Sequence, residues 1–103
     1  MIVTTTPTVE GRPVKSYLGI VSGEAVLSGT WSDLGAALQN LGNPEHPISE
    51  RILFQAQQRA LSKLTDRAKE LAANAVVGVA FDHESMTGGT MMVIATGTAV
   101  LVA

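Results

Sequence analysis

Between Leu53 and Leu71 the apolar residues step by three or four: Leu53, Ala56, Ala60, Leu61, Leu64, Ala68 and Leu71. That spacing gathers side chains on one stripe of an α-helix. Gln55, Arg59, Ser62, Asp66, Lys69 and Glu70 fall mostly on the other side. Ser49 suits the N-cap, and Glu50 stands by the positive end of the helix dipole. The pattern fades at Ala72–Asn74, where Asn tolerates the left-handed backbone that often ends a helix. A helix of roughly 35 Å is predicted. Leu34, Ala37, Leu38 and Leu41 repeat the spacing more briefly, which predicts a short helix over Trp31–Leu41 capped by Ser32 or Asp33. Gly42 to Pro47 holds two prolines and a glycine and reads as a loop.

The remaining apolar stretches are β-branched and short. Ile2–Thr5 is a short strand ended by Pro7, and Glu10-Gly11-Arg12-Pro13 is a turn. Val14–Ser28 predicts one long strand bent or bulged at Gly19 and Gly23, or two strands in sequence. Ala75–Glu84 and Thr90–Val102, joined by Ser85-Met86-Thr87-Gly88-Gly89, predict an antiparallel hairpin. Side chains alternate between the faces of a strand, so parity shows what each face carries. Ala75, Val77, Val79 and Phe81 lie on one side, and Val76, Gly78 and Ala80 on the other. Met92, Ile94, Val100 and Val102 oppose Met91, Val93, Ala95, Ala99 and Leu101. Both faces are apolar, whereas an antiparallel sheet open to water has one polar face. One long and one short helix cover a single side. Monomers avoid leaving a large apolar patch exposed, so the pattern predicts association of copies. A strongly curled sheet that covers itself is the alternative.

Composition narrows the class. With 103 residues the chain has the size of one domain, 1–103, with a single core. A hydrophobic share of 46% against 16% charged marks an ordered fold. The net charge of −2 and pI near 5.5 give no reason to expect nucleic acid or anionic membrane as a partner. The absence of cysteine excludes disulfides, thiol catalysis and thiolate metal sites. The first residues lack the pattern of a signal peptide, and Met91–Ala103 is too short to span a bilayer. A soluble, cytoplasmic protein is the expectation.

Several motifs, in order and spacing, resemble the YbjQ-like family. They are Thr4-Thr5-Thr6-Pro7, Glu10-Gly11, Tyr17-x-Gly19-x-Val21-x-Gly23-Glu24-Ala25, Ala73-Asn74-Ala75-Val76-Val77-Gly78, Asp82-x-Glu84 and Gly97-Thr98-Ala99-Val100. The resemblance covers essentially the whole chain. It implies an α+β two-layer sandwich of dodecin-like architecture, an antiparallel sheet packed on one long and one short helix. It also implies a homo-oligomeric ring, usually a pentamer, and carries a heavy-metal-binding label without a defined ligand set. The chain departs from the family at three places. Trp31-Ser32-Asp33 replaces Phe-Arg-Asp, Gly42–Pro47 replaces a Gly-Gly-Arg-Ser loop, and Ala72 stands where a glycine usually ends the long helix.

Candidate chemistry is sparse. Asp82 and Glu84 lie two apart on a strand, hence on one face, and could chelate a divalent cation, with ring symmetry multiplying them. Acidic residues at a solvated strand end are the commoner explanation. His83 points the other way. His46, beside Glu45, lies in a Pro-rich loop with no second histidine near. Met86, Met91 and Met92 are the sulfur candidates for a soft metal, and methionines are more often packing residues. Glu24 interrupts an apolar strand, where a carboxylate is costly unless paired. It is a candidate for ligand binding in a crevice shared with Tyr17, or for an inter-subunit contact with Arg12, Lys15 or Arg51. Arg51, Arg59, Lys63 and Arg67 make a partly basic helix flank, interspersed with acids as on a solvated face. No phosphate loop or nucleophile arrangement is present, so no catalytic residue is assigned and an enzyme is not expected. The reading is a ring-forming protein that binds a metal ion or small ligand. A scaffold whose product is the ring itself is the alternative.

Overall fold

The computed structural model describes residues 1–27, 47–85 and 90–103. Its elements are β1 (Ile2–Val3), β2 (Val14–Leu27), α1 (Pro47–Glu70), β3 (Ala75–Ser85) and β4 (Met91–Val102). The expected short helix over Trp31–Leu41, with His46 and Met86, lies outside the described residues. The four strands form one sheet in the order β1-β3-β4-β2. β4 runs antiparallel to both neighbours, as the hairpin pattern predicts. The sheet as a whole is mixed, not antiparallel, because β1 pairs with β3 in parallel, Ile2 opposite Ala75 and Val3 opposite Val76. Chain beyond β1 stays on that edge: Gly78 donates its N–H to Thr6 at 2.8 Å and Val79 to Thr4 at 3.1 Å.

α1 begins at Pro47, two residues before the expected cap at Ser49. Proline is favoured in the first turn because its N–H would have no helical partner and its φ is already set. At the other end the helix closes at Glu70 rather than continuing toward Asn74. Ala73 donates to the Ala68 carbonyl and Ala72 to Lys69, with Ala72 at φ 64°. This is the Schellman arrangement, built with alanine in the left-handed position. Asn74 acts elsewhere. Its side-chain amide donates to the Val102 carbonyl at 2.9 Å and accepts from the Val102 N–H at 2.8 Å. It ties the helix exit to the end of β4.

α1 lies mainly over β2 and β4 and packs through small residues. Ala56, Ala60, Leu64 and Ala68 are fully buried against Val21, Ala25, Val76, Val93, Ala95 and Ala99. Gly23 sets the approach of the layers. A Cβ there would lie 2.5 Å from the Leu64 nitrogen and closer still to the Ala60 carbonyl. The one-long-strand reading of β2 is correct, with register breaks between Val14 and Ser16 and between Tyr17 and Gly19. The second break switches parity, so that Leu18 and Val21 both reach the helix side.

The second face of the sheet divides in two. Its lower half is closed by the chain itself: Ala75, Val77, Val100 and Val102 are buried beneath Ile2, Val9 and Val14. The turn at Val9–Arg12 folds that cover back. Beside it, in the same rows but out on β2, Ile20 is 85% and Tyr17 77% exposed. The molecule measures 51 × 24 × 16 Å with a radius of gyration of 16.5 Å, against about 13 Å for a compact domain of this length. It is a plank.

Candidate functional site

Strand register places the candidate residues in rows across the open half of the second face. Ser22 stands opposite Thr96, which stands opposite Ala80. Glu24, Ile94 and Asp82 form the next row, and Val26, Met92 and Glu84 the one after. Glu24, Asp82 and Glu84 therefore share one face, with the apolar residues of β4 between them. Glu24 and Asp82 are two strand spacings apart, roughly 10 Å between Cα atoms. Metal ligands converge to about 2.0–2.6 Å from the ion. Among the described residues no group of three or more His, Asp or Glu side chains comes together in that way. Within one copy these residues do not fit a metal ion.

His83 turns to the helix side, where its Nε2 lies 3.4 Å from Gln57 Nε2, away from Asp82 and Glu84. Met91 is exposed and Met92 half-buried at the tip of β4, and they offer a soft metal no converging set. Tyr17 and Glu24 share the open face of β2 but not a pocket. Their partners on β4, Val100 and Ile94, are six residues apart, about 20 Å along the strand.

Glu24 has a partner, and it is not Arg12, Lys15 or Arg51. Arg67 donates from Nη2 to Glu24 Oε1 at 2.8 Å and from Nη1 to Oε2 at 3.1 Å, while Nη1 also reaches the Ser22 carbonyl at 2.6 Å. β2 is a sheet edge, so the guanidinium reaches over that edge from the helix layer and clasps the strand. The hydrogen bonds from Arg67 hold the Glu24 carboxyl below the usual carboxylate range; burial opposes them, and the charges of Arg67 and Lys63 add to them. The Arg67 pKa is raised by the same contact. Sequence pointed to Glu24 and missed Arg67. The available signal was spacing: Arg59, Lys63 and Arg67 recur every four residues and so form one row on the helix.

A cavity of about 410 Å³ opens elsewhere, between Met1, Ile2, Arg12, Lys69, Ala73 and Asn74. Its polar groups are partly committed, Asn74 to Val102 and Arg12 through its Nε to the Ala103 carbonyl at 2.5 Å. No helix among the described residues is long and apolar enough to cross a membrane.

With this geometry in place, known proteins add the family. A UPF0145 protein of Corynebacterium jeikeium is 46% identical over 102 residues, covering 97% of each chain. One from Geobacillus kaustophilus is 42% identical over 101 residues, covering 97% of this chain and 96% of the relative. A crystal structure from Pediococcus pentosaceus, of a DUF74-family protein of unknown function, superposes with a TM-score of 0.68 at 19% identity over 100% of this chain and 98% of that one. That match shows a shared fold. Residues 1–103 match the model of the YbjQ family, whose description reads "Putative heavy-metal-binding", and the chain belongs to that family.

Proposed function

We propose that the protein works as a closed ring of identical copies, a pentamer in the cytoplasm, that binds a small ligand or metal ion where carboxylates of neighbouring copies meet. The open part of the second sheet face carries this reading: Ile20, Tyr17 and Val26 face solvent there. Covering apolar area at about 25 cal/mol per Å² is a sufficient drive for association. Asp82 and Glu84 are exposed oxygen donors, suited to a hard divalent cation. The family description supplies the metal in the reading; the convergence absent from one copy would come from several.

A scaffold without any small ligand is the second reading. The observation favouring it is that Glu24, a carboxylate set among apolar neighbours, is occupied by Arg67. Native mass spectrometry of the purified protein, followed by calorimetric titration with a panel of divalent ions, separates the two. The expected result is a single oligomer that carries or acquires a stoichiometric ion. A single copy at low micromolar concentration removes the ring. A ring that neither holds nor acquires an ion removes the metal and leaves the scaffold.

A further inference from the structure

We propose that the cavity between the helix exit and the first strand is a binding site for a small organic anion, a carboxylate or phosphate carried on an apolar body. The inference is independent of the ring and metal readings. Asp82 and Glu84 lie at the far end of β3, more than about 20 Å along the strand from Asn74.

This cavity of about 410 Å³ is lined by Met1, Ile2, Arg12, Lys69, Ala73 and Asn74. Its neutral polar groups are already spent. Asn74 uses its side chain on Val102, its N–H on the Val100 carbonyl and its own carbonyl on the Ile2 N–H. Ala73 gives its N–H to the Ala68 carbonyl in the helix closure. What remains unspent among the lining side chains is positive. The turn carrying Arg12 is fixed on both sides, since the Arg12 N–H donates to Val9 and the Pro13 carbonyl accepts from Ala103. Arg12 Nε donates to the Ala103 carbonyl, so the guanidinium is held in place. Its two Nη groups have no acceptor among the described residues, and neither does the ammonium of Lys69.

No carboxylate side chain lines the cavity. Glu10 and Glu70, near these cations in sequence, are exposed and paired with neither. The charge of Glu70 acts on Arg67, one turn back along the helix. The negative end of the helix dipole opposes an anion here. That effect is reduced, because Ala72 and Ala73 close the Lys69 and Ala68 carbonyls and the Lys69 charge offsets the rest. A site whose unspent groups are all donors calls for a ligand head that only accepts, and a guanidinium beside an ammonium suits an oxyanion. The other walls, Met1, Ile2 and Ala73, are apolar and favour a hydrocarbon body next to that head. The volume falls within the range of small-ligand pockets.

Hexanoate and phenyl phosphate are the probes, with inorganic phosphate and 1-hexanol as controls. Binding is read by carbon–proton NMR of the Met1 and Ile2 methyl groups in the protein as purified. Both probes should shift these methyls saturably, and a response to only one supports the site and fixes its head group. Lys69→Gln removes a side chain that makes no hydrogen bond in the fold, and should weaken binding roughly tenfold. Lys69→Glu should abolish it. Arg12→Gln should weaken binding as well, with circular dichroism checking that the variant is folded. No saturable shift with either probe, an equal response to 1-hexanol, equal affinity for inorganic phosphate, or a Lys69→Glu variant that binds like the wild type overturns the proposal. These readouts are separate from the mass of the assembly and from titration with divalent ions, so failure here leaves the ring and metal readings standing.

Discussion

Ala72 holds φ at 64°, a conformation that costs an L-residue with a Cβ roughly 1 kcal/mol more than glycine. Its Schellman hydrogen bonds are nonetheless complete, so the strain is confined to one residue. Ala72→Gly should therefore raise stability by about 1 kcal/mol, measured by urea denaturation, and a destabilised variant would show that the turn is not strained. Glu24 makes a prediction of opposite character. Its folded pKa is depressed, so its contribution is present above the carboxyl's unfolded value and is lost as pH falls through the folded one. With side chains 39% and 44% exposed, solvent and salt weaken the pair. The stability difference between wild type and Glu24→Gln should be small at neutral pH, shrink on acidification below the ordinary carboxylate range, and shrink at high salt. A difference that grows toward acid contradicts the assignment. Neither feature could be read from residue type alone. Glu24 was legible as a carboxylate needing a partner, but the partner lies 43 residues away, and helical spacing says nothing about which strand a row will overhang.

At the scale of elements, the seam between α1 and β2 depends on small residues. Ala56, Ala60 and Ala68 bring the helix close to the sheet, and Gly23 admits the backbone around Ala60 and Leu64. Adding one methyl group there forces the layers apart or bends the strand. Gly23→Ala should cost about 1–3 kcal/mol, seen as a lower thermal midpoint, and an unchanged midpoint would mean that the layers slide freely. The helix period and the hairpin were legible because each is a local pattern, three to four residues in one case and two in the other. The parallel pairing of β1 with β3 was not, since its partners are 73 residues apart and a two-residue strand has no periodicity. The same holds for Asn74, which looks in sequence like a helix-ending residue and serves instead as a clamp on Val102.

Across the whole molecule, a narrow helical layer covers one side of a long sheet, and the N-terminal segment covers half of the other. The sequence by itself determined the helix, the strands and the fact that the strands are apolar on both faces, because these follow from local spacing and from the alternation of side chains. It also determined what chemistry is absent, since no cysteine means no thiolate. Only the tertiary structure decided how the second face is divided. Ile2, Val9 and Val14 close its lower end on the β3 side, while Ile20 and Tyr17 remain open beside them on β2. It likewise decided that Glu24 belongs to Arg67 and that Asp82 stands across β4 from Glu24 rather than beside it. The physical reason is common to all of these. Parity states how many surfaces need cover, but what covers them depends on contacts between residues far apart in the chain, whose pairing is set by packing and not by any local repeat.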